Sequence, residues 1–282
     1  MKKIAFVNIK GGVGKSATAS TVAHMASVLH EKKVLIIDLD PQGNSTSQFK
    51  GGSFLEDFKR QLDGNIEVIN NSLGDLLIDK EKDIHDCIRQ TDYENLDIIC
   101  SDMRLISIEE QMRANVTSPQ QFRLQRHLAK VDDIYDYCFM DCSSNENLIN
   151  TNALMCADEV YIPTRTDGNS VEGVLKALKM VDEIQDYNPR LNVGGCFFTC
   201  YNPKKSVSKD LIQLLERSDV YLIPIQIGVS TYLERNSTER KPLLVLDRSI
   251  RSKATKDYVA LTEYILAPNQ KLYLKSLKRE VN

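Results

Sequence analysis

Long apolar runs, paired cysteines and clustered histidines are all missing from this chain of 282 residues, and each absence removes a class of protein. No uninterrupted apolar segment approaches the ~20 residues of a membrane span, and the N-terminus enters an apolar run with no signal-peptide pattern. A cytoplasmic protein is the expectation. Seven cysteines, an odd number without a CxxC pair, fit a reducing compartment rather than a disulfide framework. Cys138 and Cys142, like Cys196 and Cys200, stand four apart in strand-like runs and read as small buried hydrophobes. His24, His30, His85 and His127 are scattered and form no ligand spacing. What is present is ordinary for a soluble globular fold: 42% hydrophobic and 27% charged residues, enough for a sizeable core in one large α/β domain or two small ones.

The net charge of −3 conceals an asymmetry. From Lys204 onward 15 basic residues face 9 acidic ones, whereas the chain before it carries 21 against 30. The C-terminal third is the only basic part, which points to a polyanionic partner there.

The stretch Lys10-Gly11-Gly12-Val13-Gly14-Lys15-Ser16 follows the apolar run Ile4 to Ile9 and precedes a helical pattern from about Ala17 to His30. A strand, a glycine turn and a helix make a phosphate cradle: without side chains at the glycines the backbone N–H groups curl inward, and the helix adds its positive end. Lys15 is placed against the β- and γ-phosphates, and Ser16 offers its hydroxyl to Mg²⁺. The general P-loop pattern has a glycine where this chain has Ile9, and Lys10 adds a second lysine at the loop's mouth. The next strand, Lys33 to Asp38, completes a βαβ unit, so Asp38 and Asp40 fall beside the cradle, where carboxylates can hold metal-bound water and orient the attacking one. Taken alone, Asp40-Pro41-Gln42-Gly43-Asn44 also reads as a simple turn. Tyr137 to Asp141 is a further apolar strand ending on an acid, the Walker B pattern, whose carboxylate reaches the same metal shell.

Through Lys10 to Ser16 and the run Asp38-Leu39-Asp40-Pro41-Gln42-Gly43-Asn44-Ser45-Thr46, the chain resembles the ParA/Soj/MinD group of deviant Walker ATPases. The stretch after Asp40 looks like its Soj-type partition members. The resemblance covers about residues 1 to 266 and is weakest from 51 to 90. It implies a P-loop NTPase fold, with a mostly parallel, twisted sheet flanked by helices on both faces, as a single domain over 1 to 266, and a basic tail over 267 to 282. It also implies ATP or ADP with Mg²⁺ as ligands, and an ATP-dependent homodimer in which Lys10 of each subunit reaches the other's phosphates. Non-specific DNA and a ParB-like centromere-binding protein are the implied partners, placing the protein in the cytoplasm on the nucleoid.

Residue by residue, the resemblance gives Lys10, Lys15 and Asp40 the catalytic roles and Ser16, Asp38 and Asp141 the magnesium. Gly11, Gly12, Val13, Gly14 and Ala17 complete the phosphate loop, and Asn202 and Pro224 wall the base pocket. Three departures stand out, and one absence sets a rival aside. The second hydroxyl after the Mg²⁺-binding one is replaced by Ala17, and the two prolines usual after Asp141 are replaced by Cys142-Ser143-Ser144-Asn145, which should loosen that segment. The arginine-bearing segment of the Soj type reads Ile225 to Thr231 here, and positive charge reappears only afterwards, so Arg235, Arg240, Lys241, Arg248, Arg251 and Lys253 become the candidate DNA contacts. The cysteine that iron-protein reductases need shortly after Walker B is absent at that spacing.

The remaining stretches carry no independent chemistry. Gly51-Gly52 opens a loop, Leu73 to Leu77 and Ile84 to Gln90 suggest short helices, Leu96 to Cys100 is strand-like, and Arg104, Arg113, Arg123 and Arg126 are expected on solvated helix faces. A helix from about Ser170 to Tyr187 sets Val171, Val174, Leu175, Leu178, Val181 and Ile184 on its core face. Val193 to Tyr201 is the next strand, and Tyr258 to Leu266 the last helix, broken at Ala267-Pro268-Asn269. The tail from Lys271, with Leu274, Leu277 and Val281 on one face, keeps a MinD-like membrane-associated ATPase as the alternative, but it lacks Phe and Trp, and membrane attachment is not expected.

Overall fold

The computed structural model describes residues 1–50, 59, 62–63, 68–202, 204, 212–213, 215, 217, 220–270 and 273. Among these, seven strands form one sheet in the order β3-β4-β2-β5-β1-β6-β7. The strands are β1 (Lys2–Phe6), β2 (Val34–Asp38), β3 (Ile88–Gln90), β4 (Leu96–Ile99), β5 (Tyr137–Asp141), β6 (Glu159–Thr164) and β7 (Asn192–Phe198). All pairs are parallel except β3 with β4.

The unbroken apolar runs follow from burial on both faces. Neighbouring residues of a strand point to opposite sides, and here each side meets a different layer. Ala5, Leu35, Ile37, Met140 and Ile162 pack under the helices Leu73–Ile78, Arg104–Ala114, Leu148–Cys156 and Gly168–Gln185. Ile4, Phe6, Ile36, Phe139 and Tyr161 pack under the first helix, Lys15–His30, and the closing helix, Lys253–Leu266. A parallel sheet covered in this way has no polar face to expose.

Several expectations are corrected. Ile84 to Gln90 is one helical turn, Ile84–Cys87, followed by the antiparallel strand β3 rather than a continuous helix. The closing helix begins at Lys253, where the Ser252 hydroxyl accepts from the Thr255 N–H. Of the long helix's stripe, Leu175 is 45% exposed, because that position has turned past the edge of the sheet contact. Arg113 and Arg126 are solvated, but Arg123 is buried. It opens the short helix Arg123–Leu128, which is wedged between the helices Leu73–Ile78 and Leu148–Cys156. Arg104 is a hub: its guanidinium reaches Asp102, Asp75, the Ser72 hydroxyl and the Ile69 carbonyl, tying the end of β4 to the helix at Leu73. Cys138, Cys142 and Cys196 are buried as expected, whereas Cys200 is exposed.

Beyond the closing helix, the Gln270 amide donates to the Tyr161 hydroxyl at 2.6 Å, and the Tyr273 hydroxyl donates to Glu263 at 2.8 Å. The expected loop at Gly51-Gly52 and the apolar face of the tail lie outside the described residues. No helix among the described residues is long and apolar enough to cross a membrane.

Candidate nucleotide site

The glycine loop joins β1 to the first helix at the C-terminal edge of the sheet. Gly12 and Gly14 hold φ of 74° and 85°, the left-handed region that costs a side-chain-bearing residue roughly 1–2 kcal/mol. Gly14 is also crowded, since a methyl there would sit 3.4 Å from Thr199 Cγ2. The Thr199 hydroxyl donates to the Val13 carbonyl at 2.8 Å. On the other flank Gly173 of the long helix lets the loop's base approach: a methyl there would stand 2.2 Å from Asn8 Oδ1 and 2.9 Å from Lys10 Cβ. Buried Asn8 ties the base of the loop to β6 through its amide and the Pro163 carbonyl, 2.9 Å apart.

Lys15 is almost sealed from solvent, and its ammonium donates to the Lys10 carbonyl and to the Ser144 hydroxyl, each at 3.0 Å. Burial holds its pKa below the usual lysine range, with Asp141 and Asp40 opposing that shift. Lys10 itself is half-buried at the loop's mouth.

The acids sit at two neighbouring strand ends. Asp38 of β2 and Asp141 of β5 are direct register partners, and Asp141 also stands opposite Phe6, where β1 gives way to the loop. Burial, then the like charge of Asp141, raises Asp38 to about 8, although the Thr46 and Asp40 N–H groups donate to its carboxylate at 2.7 and 3.1 Å. Burial likewise lifts Asp141 to about 6, against the pull of the Ser45 and Ser16 hydroxyls. Ser45 donates to Asp141 Oδ2 at 2.7 Å, while Oδ1 is buried without a partner among the described residues. Two sealed carboxylates with one orphaned oxygen, beside a serine hydroxyl, suit a small hard dication. No three Asp, Glu, His or Cys side chains converge among the described residues, so such an ion would take its other ligands from hydroxyl, water and phosphate. The residues present therefore fit Mg²⁺ accompanied by a nucleotide better than a metal held by protein alone.

Asp40 is half-buried, and its carboxylate and carbonyl cap the turn, accepting from the Gln42 and Gly43 N–H groups at 2.9 Å each. The turn ends on Gly43 at φ 62°, which starts the helix Asn44–Phe49 and delivers Ser45 and Thr46 to the two acids.

The segment after Asp141 is better restrained than its missing prolines suggest. Asn150 accepts from the Ser143 N–H at 3.0 Å and donates to the Ser143 and Asn145 carbonyls at 3.1 and 2.6 Å. One buried amide holds the turn that proline holds elsewhere. Glu109 then takes the Leu148 N–H at the start of the next helix.

On the base side, Asn202 is half-buried and caps its own turn, accepting from the Lys204 N–H at 3.0 Å. Residues 221–228 run alongside β7 through Cys196 to Tyr221, Ile223 to Cys196 and Ile227 to Phe198 backbone bonds. Gln226 pins the Pro224 turn with its amide, accepting from the Phe198 N–H and donating to the Ile223 carbonyl. The chain leading to Asn202 thus runs beside residues 227–228, with the Tyr201 N–H donating to the Ile227 carbonyl at 2.9 Å, while the Pro224 turn lies nearer the end of β7 itself.

The basic residues lie on the helix Thr231–Glu239 and the region leading into the closing helix. Arg235 and Lys241 share Glu239, at 2.6 and 3.8 Å, and Lys253 pairs with Asp257 at 3.4 Å. Arg240 caps its helix in the left-handed region at φ 52°. Arg248 and Arg251 are exposed. Burial alone would raise Asp247 nearby, but the Ser252 N–H, Thr255 hydroxyl and Arg251 N–H hold it down to about 2. It therefore stays ionised and anchors the start of the closing helix.

Sequence reasoning placed the loop and the three acids but passed over Thr199, Ser144, Ser45 and Asn150. The only signal for the last three was proximity in sequence to Asp40 or Asp141; Thr199 had none.

A family model described as an AAA domain matches residues 1–193. The sporulation initiation inhibitor protein Soj of Bacillus subtilis is 30% identical over 270 residues, covering 94% of this chain and 98% of that protein. Among solved structures, a putative plasmid partition protein from Borrelia burgdorferi bound to AMPPNP superimposes with a TM-score of 0.71 at 26% identity, covering 93% of this chain and 97% of that one. Cobyrinic acid a,c-diamide synthase from Mycobacterium smegmatis, with ADP and magnesium, gives 0.75 at 21% identity over 94% of both chains, a likeness of fold alone.

Proposed function

The chain belongs to the ParA/Soj family of P-loop partition ATPases, and on that footing we propose that it is a Mg²⁺-dependent ATPase whose ATP-bound dimer holds DNA and releases it on hydrolysis. The observation that carries this reading is the Lys15 ammonium parked on Lys10 and Ser144 beside the Asp38 and Asp141 pair, whose Asp141 Oδ1 has no partner among the described residues.

In this reading the glycine-loop N–H groups and Lys15 bind the β- and γ-phosphates, Lys15 exchanging its resting partners for phosphate oxygens. Ser16, Asp38 and Asp141 hold the magnesium, which when bound neutralises phosphate charge. Asp40, anchored by its own turn, orients the attacking water. Lys10 crosses to the phosphates of a second copy, so hydrolysis waits on dimerisation. The base lies between the Asn202 and Pro224 segments. Arg235, Arg240, Lys241, Arg248, Arg251 and Lys253 contact DNA phosphates without reading sequence. A centromere-binding protein of the ParB kind stimulates hydrolysis, and the 1–266 domain carries all of these steps, with the 267–282 segment as an appendage.

The test is DNA binding by fluorescence anisotropy with ATP, with ADP and with two variants. Binding is expected with ATP and not with ADP, to persist in Asp40→Ala, to vanish in Lys10→Ala and to fall steeply with salt. Binding that ignores the nucleotide would overturn the reading.

A further inference from the structure

We propose that Thr199 is a positioning residue for the nucleotide's phosphates, setting the orientation of the Val13–Gly14 peptide from the far end of the sheet. This rests on the nucleotide reading of the glycine loop. Thr199 follows β7 directly and is buried. Its single hydroxyl hydrogen lies between two carbonyls, Val13 at 2.8 Å and Thr164 at 3.2 Å, and the shorter contact is the one to the loop. Its own N–H donates to the Thr164 carbonyl at 2.7 Å, so the residue is fixed to β6 before it touches the loop.

A trans peptide points its C=O and the following N–H in opposite directions. Holding the Val13 carbonyl toward Thr199 therefore turns the Gly14 N–H away from the core and into the cradle. Gly14 sits at φ 85°, and glycine crosses to other φ readily, so this peptide can flip unless something holds it. Flipped, it would present a carbonyl oxygen to the phosphate. The Thr199 side chain also faces Gly14, where an added methyl would stand 3.4 Å from Thr199 Cγ2. The next residue, Cys200 at φ 49°, turns the chain toward Tyr201 and Asn202, so one threonine joins the phosphate loop to the base side.

Thr199→Val keeps the shape and removes the donor, and Thr199→Ser keeps the donor. Calorimetric titration of the full chain with Mg·ADP and Mg·ATP is expected to show affinity falling about tenfold in the valine variant, the loss of one phosphate hydrogen bond. Affinity should stay within about twofold of wild type in the serine variant. The nucleotide-free melting midpoint gives the control. If valine itself unfolds the protein, Thr199→Ala against Thr199→Ser makes the same comparison on a smaller side chain. Equal affinities for the hydroxyl-bearing and hydroxyl-free variants would overturn the proposal. Failure of the wild type to bind either nucleotide would instead overturn the reading on which it rests.

Discussion

The Thr18 hydroxyl and the Tyr258 phenol meet at 3.1 Å, both sealed from solvent, and join the helix that leaves the glycine loop to the closing helix. Near the start of the closing helix stand Arg251 and Lys253, and beside Tyr258 the Asp257 carboxylate accepts the Gly228 N–H at 2.9 Å. The bond thus ties the first helix to the element that carries Lys253. Tyr258→Phe should cost about 1 kcal/mol of stability, the net worth of that bond, in urea unfolding. It should also narrow the difference in DNA affinity between the ATP and ADP states while leaving nucleotide affinity unchanged in titration.

Ala17→Thr should tighten nucleotide binding by ~0.5–1.5 kcal/mol, through one added hydrogen bond to the α-phosphate. Direct titration of both proteins with ADP decides it, and equal affinities would remove the explanation of this cradle as loosened.

Asp38→Asn should stabilise the nucleotide- and metal-free protein at alkaline pH while weakening its Mg²⁺-dependent binding. The sign follows from the raised pKa of about 8. The folded state retains a proton that the unfolded state releases near 3.8, so this residue's contribution to stability falls as pH rises between those values and is flat above. Urea midpoints of wild type and variant, compared at pH 5 and pH 8.5 without magnesium, should lie further apart at the higher pH.

His24 gives the opposite slope. It is buried edge-on to Tyr93 at 4.5 Å between ring centroids, and burial depresses its pKa to about 4. The unfolded chain takes up a proton below about 6.5 that the folded one refuses until about 4, so stability is full above that window and drains as pH falls through it. The loss approaches about 3 kcal/mol by pH 4. His24→Gln should remove one proton from the acid-unfolding slope measured by circular dichroism.

Gly173→Ala should be more damaging than its position in a helix suggests, since alanine ordinarily favours helix there. The methyl would stand 2.2 Å from Asn8 Oδ1, and overpacking of this kind costs roughly 1–3 kcal/mol. A fall in both melting midpoint and ADP affinity is expected; a gain in stability would mean that the loop's base yields freely.

The parts of this molecule that were legible in the sequence are those whose meaning is local. Lys10 to Ser16 and Asp38 to Asp40 declare themselves because turn, helix start and strand end are adjacent in the chain. β1, β2 and β5 declare themselves because a strand buried on both faces keeps its apolar run unbroken, here through residues 4–6, 34–37 and 138–140. Arg123 misled because arginine on a short helix is ordinarily solvated, and only the two helices that wedge it show otherwise. Asn150 supplies a restraint that the absence of prolines seemed to remove, through an amide several residues downstream. Thr199 was invisible because its partner is 186 residues away, and no periodicity or spacing connects the two. The fold was written in short-range pattern, while the rigidity of the site depends on single polar side chains brought in from a distance.

The resting partners of Lys15 have a consequence for timing. In the proposed reading, a phosphate arriving at the loop would compete with Ser144 for the lysine, and on taking it would leave that hydroxyl beside the Asn150-tied turn. Occupancy of the loop would then be felt first at Ser144, in the segment that follows Asp141.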